Sequence, residues 1–442
     1  MLDSTQAKWD RYSLGAAWGE LPIEDRVDAL RSLDPEDAQE LFFDLSPLDQ
    51  AELLPALPLA ERRLWLRALE LDDAADLIQG AADEHRESLL DLLDDRTRRE
   101  VQALLAYAED EAGGLMNPRF ARLRPDMSVD EAIGYLRKYA REQTQAGMPY
   151  YAYVLDSDQR LVGVLSFREL IAAAPDDRIR DVMRTDLVTV DEEMDQEAVA
   201  RVLAEHRLLS LPVVDSAGRM KGVVTVDDIV DVVEEEATED IQKLAGMEAL
   251  DEPYLRIGFF RLVRKRAGWL SILFIGESLT ATAMGFFETE IARAVVLALF
   301  VPLIISSGGN SGSQASTLVI RAMAVGEVAL RDWGRVLRRE LNAGLVLGSI
   351  LGAIGIARIL LWQQFGHLYG EHYALVAFAV ALAVVGVVAW GTIVGSLLPF
   401  VFRRLGFDPA VASAPFVATL VDVTGIVIYF SVARVLLAGT LL

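Results

Sequence analysis

Residues 418–430 read ATLVDVTGIVIYF. They belong to an apolar stretch from Ala410 to Tyr429 that holds one acidic group, Asp422. By length and composition this is a membrane-spanning helix. A charge at the bilayer centre costs between about 3 and about 17 kcal/mol. A chain that keeps such a residue must offset that cost. Carboxylates inside a helix bundle usually mark an ion or proton path. A structural pair with Arg358, in another apolar stretch, is the competing reading.

Working outward, five apolar segments are expected to span the bilayer, at about 268–287, 293–320, 341–362, 374–402 and 410–438. Basic residues alternate between the loops. RLVRKR (261–266) precedes the first span, five arginines lie between the second and third, and Arg403 and Arg404 lie between the fourth and fifth. The other two loops, FFETEIAR (286–293) and FGHLYGEHY (365–373), share one arginine. This bias predicts a cytoplasmic N-terminus and an outside C-terminus in a multi-pass protein of the cell (inner or plasma) membrane. Within the second span, VPLIISSGGNSGSQAST (301–317) carries Pro302, Gly308, Gly309, Asn310 and Gly312, which should break or kink the helix. The fourth contains GTIVGSLLP (391–399), and the fifth adds Pro415, Thr419 and Thr424 around Asp422. Glu277 in the first span is a second intramembrane acid.

An ion path explains Asp422 if a cation neutralises it. There are no cysteines, and the four histidines have no zinc-ligand spacing. The donors are oxygen, which favours Mg²⁺, Ca²⁺ or Mn²⁺. A two-fold axis would double one carboxylate into two. No P-loop is present, and none is required, because an inward potential favours a divalent ion by about 4.6 kcal/mol per 100 mV.

The first half differs sharply. Residues 1–256 hold 57 Asp and Glu against 28 Lys and Arg, a net charge of −29, whereas residues 257–442 net +5. An acidic half argues against nucleic acid and favours cations. The start, MLDSTQAKWDRY, lacks an apolar core and is not expected to be a signal peptide. His367 and His372 are expected in a wet loop. Residues 1–115 contain short acidic amphipathic units with Asp, Pro and Ser at successive helix starts, which predicts a small α-superhelix. Next comes an internal repeat. VLDSDQRLVGVLSFRELI (154–171) matches VVDSAGRMKGVVTVDDIV (213–230) at an offset of 59. Each copy reads as strand, turn, strand, helix. It resembles a tandem cystathionine-β-synthase-type (CBS) pair, a module that often binds adenine nucleotides such as ATP. By that analogy Tyr151 and Arg168 are nucleotide-binding candidates. A helix over about 226–262 should follow, acidic at its start and basic at its end. Asp228, Asp231, Glu235 and Glu239 form one stripe on it, which predicts cation binding.

EDEAGGLM (109–116), EATEDIQKL (236–244), GGNSGSQ in the second span and PFVATLVDVTG (415–425) complete the pattern. Together with the domain order, they resemble the MgtE family of magnesium channels over essentially the whole chain. The resemblance implies a multidomain fold: an α-superhelical N-domain (1–115), an α+β tandem CBS pair (116–232), a connecting plug helix (233–262) and an all-α membrane domain of five helices (263–442). It implies a homodimeric Mg²⁺-selective channel, not an enzyme, held shut when internal Mg²⁺ binds its soluble domains. By motif, the selectivity carboxylate corresponds to Asp422. The regulatory ligands correspond to Asp72, Asp76, Asp195, Glu197, Asp228, Asp231, Glu236, Glu239 and Asp408. Gly308, Gly309, Asn310, Pro415 and Thr419 are pore-lining candidates. Two departures stand out. The family pattern has an acidic residue where this chain has Arg207, and Asn where it has Ala414. They bear on one regulatory site and on the polar lining of the filter. Two other functions remain open: a broad Mn²⁺ or Co²⁺ transporter, or a membrane-anchored nucleotide sensor.

Overall fold

The computed structural model describes residues 9–142, 150–366 and 369–442. Residues 1–8, the start of the N-terminal segment argued not to be a signal peptide, and His367 lie outside the described residues. The chain forms two compact units, Met1–Glu234 and Glu235–Leu442.

The first unit begins with a helical array. Five ten-residue helices, Ile23–Ser32, Pro35–Asp44, Pro47–Ala56, Leu59–Ala68 and Leu71–Gly80, recur every twelve residues. Each is ended by an extended residue, in order Leu33, Leu45, Leu57, Leu69 and Ala81. Leu57 is 1% exposed, so the linkers are part of the core. Proline opens two of the helices, where its missing N–H costs nothing. Two three-stranded sheets follow, β1 (Arg122–Leu123), β2 (Tyr151–Leu155) and β3 (Leu161–Ser166), then β4 (Val190–Asp191), β5 (Ser210–Val214) and β6 (Met220–Thr225). The copies share even their irregularity, a register shift at Val154/Leu155 and again at Val213/Val214. In each turn an aspartate, Asp156 or Asp215, accepts two backbone N–H groups at 2.9–3.0 Å. One apolar cluster runs from the helical array into the second copy, through Leu104, Val199, Leu211 and Val232, whereas the first copy has its own core around Ala121, Val154 and Ile179.

The second unit holds five helices long and apolar enough to cross a membrane: Phe259–Phe286, Val295–Ala324, Leu330–Phe365, Tyr373–Arg404 and Ala414–Leu437. The fourth is the most buried. Glycines let it approach its neighbours. A Cβ at Gly391 would strike the carbonyl oxygen of Gly308, and one at Gly395 would strike that of Gly312. The third span approaches it through Gly348, where a Cβ would lie 2.8 Å from Val385 Cα. Small residues of this kind give helices their van der Waals contact in lipid, where no hydrophobic drive remains. We therefore expect Gly395→Val to destabilise the purified chain strongly, by about 3 kcal/mol or more, since backbone cannot yield as a side chain can. Thermal unfolding in detergent measures it, and an unchanged midpoint would contradict this packing.

Two expectations are corrected. The second span is not broken at its glycines. Its helix runs unbroken from Val301 to Ala324, and the interruption lies upstream, at Leu299 and Phe300. Pro302 falls in the first turn, where it is tolerated, and the glycines serve close packing rather than unwinding. The connecting helix does not continue to residue 262. It ends at Leu244, and Gly246 turns the chain with φ of +72°, before the first span's helix starts at Phe259. RLVRKR therefore lies inside the first spanning helix.

Candidate functional site

Asp422 lies two turns into the fifth span and is half-buried. A Cβ added at Gly309 of the second span would stand 3.6 Å from Asp422 Oδ1 and 3.4 Å from Ala418 Cβ. The glycine thus lets the carboxylate lie against the helix. Gly308 faces instead into the packed seam beside Val387 and Val421. Asn310 is exposed, its amide 3.5 Å from Ser306 Oγ. Asp422 forms no ion pair among the described residues, and the charged group that acts on it is Glu277 of the first span. Arg358 is not its partner. That guanidinium stands 6.0 Å from the ring centres of both Phe300 and Trp362.

Neighbouring hydroxyls are committed to helix backbone. Thr419 Oγ1 donates to the Pro415 carbonyl at 3.0 Å, and Ser313 Oγ donates to that of Ala414 at 3.1 Å. Thr424 Oγ1 donates to the Leu420 carbonyl at 2.8 Å and accepts from Trp390 Nε1 at the same distance. Pro415 packs in the first turn of the fifth span, where a Cβ at Gly246 would stand 3.2 Å from its ring.

A second group of acids lies in the first unit. Glu70, Asp72 and Asp73, at the start of the helix Leu71–Gly80, act on Asp227, Asp228 and Asp231 of the helix Val226–Leu244. Asn117 donates to Glu70 Oε2 at 2.6 Å and to Asp72 Oδ1 at 3.2 Å. Asp228 Oδ2 accepts from Thr225 N at 2.9 Å and Thr225 Oγ1 at 2.7 Å. Burial, with Asp228, Asp73 and Glu70 adding, holds the Asp72 pKa well above the usual carboxylate range. Burial, reinforced by Asp73 and Asp227, pushes Glu70 up to about 7. Burial also pushes Asp228 up to about 7 against the hydrogen bonds from Thr225. Asp73 and Asp231 are raised by burial first and neighbouring acids second. Such a set attracts cations. Among the described residues, however, no three His, Cys, Asp or Glu side chains are disposed to hold one metal ion.

Glu239 and Asp408 are brought together through a lysine. Lys243 Nζ lies 2.6 Å from Glu239 Oε1 and 2.7 Å from Asp408 Oδ2. Burial alone would lower the lysine's pKa, but these hydrogen bonds raise it above the ordinary value. The remaining predicted residues are dispersed. Asp195 caps the helix Gln196–His206, accepting from Glu197 N and Ala198 N, and Glu197 pairs with Arg201 at 2.9 Å. Arg207 ends that helix in the left-handed region, φ +52°. Asp76 lies on the Leu71–Gly80 helix and Glu236 on the Val226–Leu244 helix. Tyr151 is half-buried in β2 and Arg168 is exposed on the helix Phe167–Ala172. Neither lines the cavity of about 520 Å³ edged by Arg122, Arg124, Asp156 and Arg180. Sequence reasoning missed Glu70, Asp73, Asp227, Asn117 and Lys243. The acids adjoin residues that it named, in LELDDAAD and TVDDIVD. Lys243 lies in EATEDIQKL, four residues after Glu239, the spacing of a helical ion pair, whereas Asn117 left no signal.

Comparison with known proteins accounts for most of the chain. Residues 10–110 match the MgtE intracellular N domain, 112–176 and 179–235 match the CBS domain, and 301–432 match the MgtE divalent cation transporter domain. A magnesium transporter MgtE of Thermus thermophilus is 44% identical over 425 residues, covering 96% of this chain and 92% of its own length. One from Bacillus subtilis is 29% identical over 424 residues, 96% of this chain and 91% of its own. A crystal structure of the cytosolic domain of the Mg²⁺ channel MgtE in complex with ATP is 45% identical, with a TM-score of 0.47, covering 51% of this chain and 91% of that one.

Proposed function

The chain belongs to the MgtE family of magnesium transporters, and from that premise we propose that it is a Mg²⁺-selective uptake channel gated shut by internal Mg²⁺. In this reading the ion passes Asp422, and the carboxylates of the acidic half sense its concentration. The protein works as a homodimer with its N-terminus in the cytoplasm and its C-terminus outside. One observation carries the reading. Asp422 forms no ion pair among the described residues and lies half-buried against Gly309 in a helix bundle, and another acid, Glu277, lies on the first span, which packs on the fifth where a Cβ at Gly276 would stand 2.8 Å from Thr419 Cγ2. A passing or resident cation would offset the cost of keeping such a carboxylate charged.

The gate rests on the acids Glu70, Asp72, Asp73, Asp227, Asp228 and Asp231. They are hard oxygen donors suited to Mg²⁺. Without a cation they repel and loosen the helices that carry them. Bound Mg²⁺ supplies the neutralising charge, and the state that binds it better gains in population by that difference. The test is Mg²⁺ flux into proteoliposomes with internal Mg²⁺ varied. Flux should fall steeply as internal Mg²⁺ rises, and flux indifferent to it would remove the gate from this proposal. Competition by Mn²⁺ and Co²⁺ in the same assay measures selectivity. Ala414 makes that comparison informative, since it brings only a backbone carbonyl to its position, already bonded to Ser313.

Lys243 gives the joint at Glu239 and Asp408 a built-in cation. A divalent ion there must displace the ammonium. Lys243→Gln leaves two acids facing each other with only an amide between them. We expect the Mg²⁺ concentration that half-closes the channel to fall about threefold to tenfold, since the competing charge is gone. An unchanged midpoint in the flux assay would mean that this joint takes no part in sensing.

A further inference from the structure

One cation in the membrane unit has no partner that the transport reading uses. Arg358 lies in the third span, two turns before its helix ends at Gly366, or about 12 Å from that end at 1.5 Å per residue. Its side chain is exposed. Its guanidinium carbon is 6.0 Å from the ring centre of Phe300 and 6.0 Å from that of Trp362. Phe300 is buried and packs on Tyr369, with centroids 5.6 Å apart, while Trp362 is 46% exposed. Tryptophan and tyrosine collect at the edges of a bilayer, and Trp362 and Tyr369 lie at the end of this span.

The arginine's surroundings say what meets it. Beside it the third span exposes Ile354, Leu361 and Phe365, an apolar surface open to acyl chains. A neighbouring row of the same helix, Gly344, Gly348 and Gly352, packs on the fourth span. No ion pair joins Arg358 to a carboxylate among the described residues. At the same edge, Glu290 lies 4.0 Å from Arg434. A guanidinium offers its N–H groups in a planar fork that matches a phosphate, and no carboxylate pairs with this one among the described residues. A long side chain in this position reaches toward the headgroups and not toward the bilayer centre.

We propose that Arg358 and Trp362 form a binding site for the phosphate of a membrane phospholipid, whose acyl chain lies along Ile354, Leu361 and Phe365. An anionic headgroup such as phosphatidylglycerol is favoured, because its net charge offsets that of the guanidinium. The site ties the outer end of the third span to Phe300, at the start of the second span's helix, and therefore steadies the helix that carries Gly309.

The full-length chain in detergent tests this by thermal unfolding and native mass spectrometry. Phosphatidylglycerol, phosphatidylcholine and inorganic phosphate are titrated in parallel. For the wild type, phosphatidylglycerol should raise the unfolding midpoint by about 3 °C or more. Inorganic phosphate at the same concentration should do nothing. Arg358→Gln should lose the shift and retain at least about tenfold less lipid. Arg358→Lys, which keeps the charge but not the planar fork, should fall between, and serves if the glutamine variant does not fold. An equal lipid shift in wild type and Arg358→Gln overturns the proposal. So does an equal effect of free phosphate, which would remove the membrane as the source. Loss of the dimer in Arg358→Gln with lipid retention unchanged also overturns it, by assigning the arginine to a second copy of the chain.

Discussion

Replacing Asp422 with alanine or asparagine should lower Mg²⁺ flux into proteoliposomes by at least about a hundredfold. Removing one partner of a buried charge interaction costs roughly 3–5 kcal/mol, and each 1.4 kcal/mol is a factor of ten. The surroundings do not compensate. The hydroxyls of Ser313, Thr419 and Thr424 already donate to backbone carbonyls of the fifth span, and Gly309 brings no side chain. Asp422→Glu keeps the charge but must fit an extra methylene against Gly309. It should retain more flux than the alanine variant. Glu277→Gln should cost less than Asp422→Asn, because Glu277 is exposed on the first span. Near wild-type flux in a folded Asp422→Asn protein would end the reading of this residue as the ion's ligand.

Neutralising the acids of the first unit should have the second large effect. In Asp72→Asn with Asp228→Asn, Mg²⁺ protection of the soluble half from protease should need at least about tenfold more Mg²⁺, and flux should persist at high internal Mg²⁺. The same variant should be more stable than wild type without metal, since buried like charges have been removed. The pH dependence has a definite sign. Glu70 and Asp228 titrate near 7 in the fold, against ordinary values of 4.5 and 3.8. Between about pH 4 and pH 7 the folded state therefore binds more protons than the unfolded state. Stability in EDTA should be greatest at the acid end of that window. It should fall as pH rises, by roughly 1–2 kcal/mol per pH unit for each group fully affected. Saturating Mg²⁺ should flatten this slope, and so should the double variant. Denaturation midpoints between pH 4.5 and 7.5 decide it. A slope of the opposite sign would mean that the cluster is already neutralised by the protein's own cations.

The comparison of sequence and structure turns on how far apart the deciding residues lie. The five spans were legible because hydropathy and the placement of arginines are local quantities. The tandem repeat was legible because two copies of one strand–turn–strand share their turn aspartates, Asp156 and Asp215. The periodic helical array was visible as repeated acidic starts. Single residues read for local effect were less secure. Pro302 and the glycines suggested a broken helix, yet proline is harmless in a first turn, and the glycines admit the backbone of the fourth span. The unbroken connecting helix failed at Gly246, where a left-handed residue ends what charge pattern alone would continue.

What the chain determined by itself is which half enters the membrane, the repeat of the CBS module, and the presence of one acid deep in the fifth span. These follow from composition and period, and no distant contact can reverse them. Only the tertiary structure decided that Asp422 rests on Gly309 rather than on Arg358, and that Glu70 and Asp72 act on the acids of the Val226–Leu244 helix. It alone set Lys243 between Glu239 and Asp408, which is 165 residues away along the chain. Each of these pairings depends on which helix surfaces are small enough to meet, and that is a property of packing between segments.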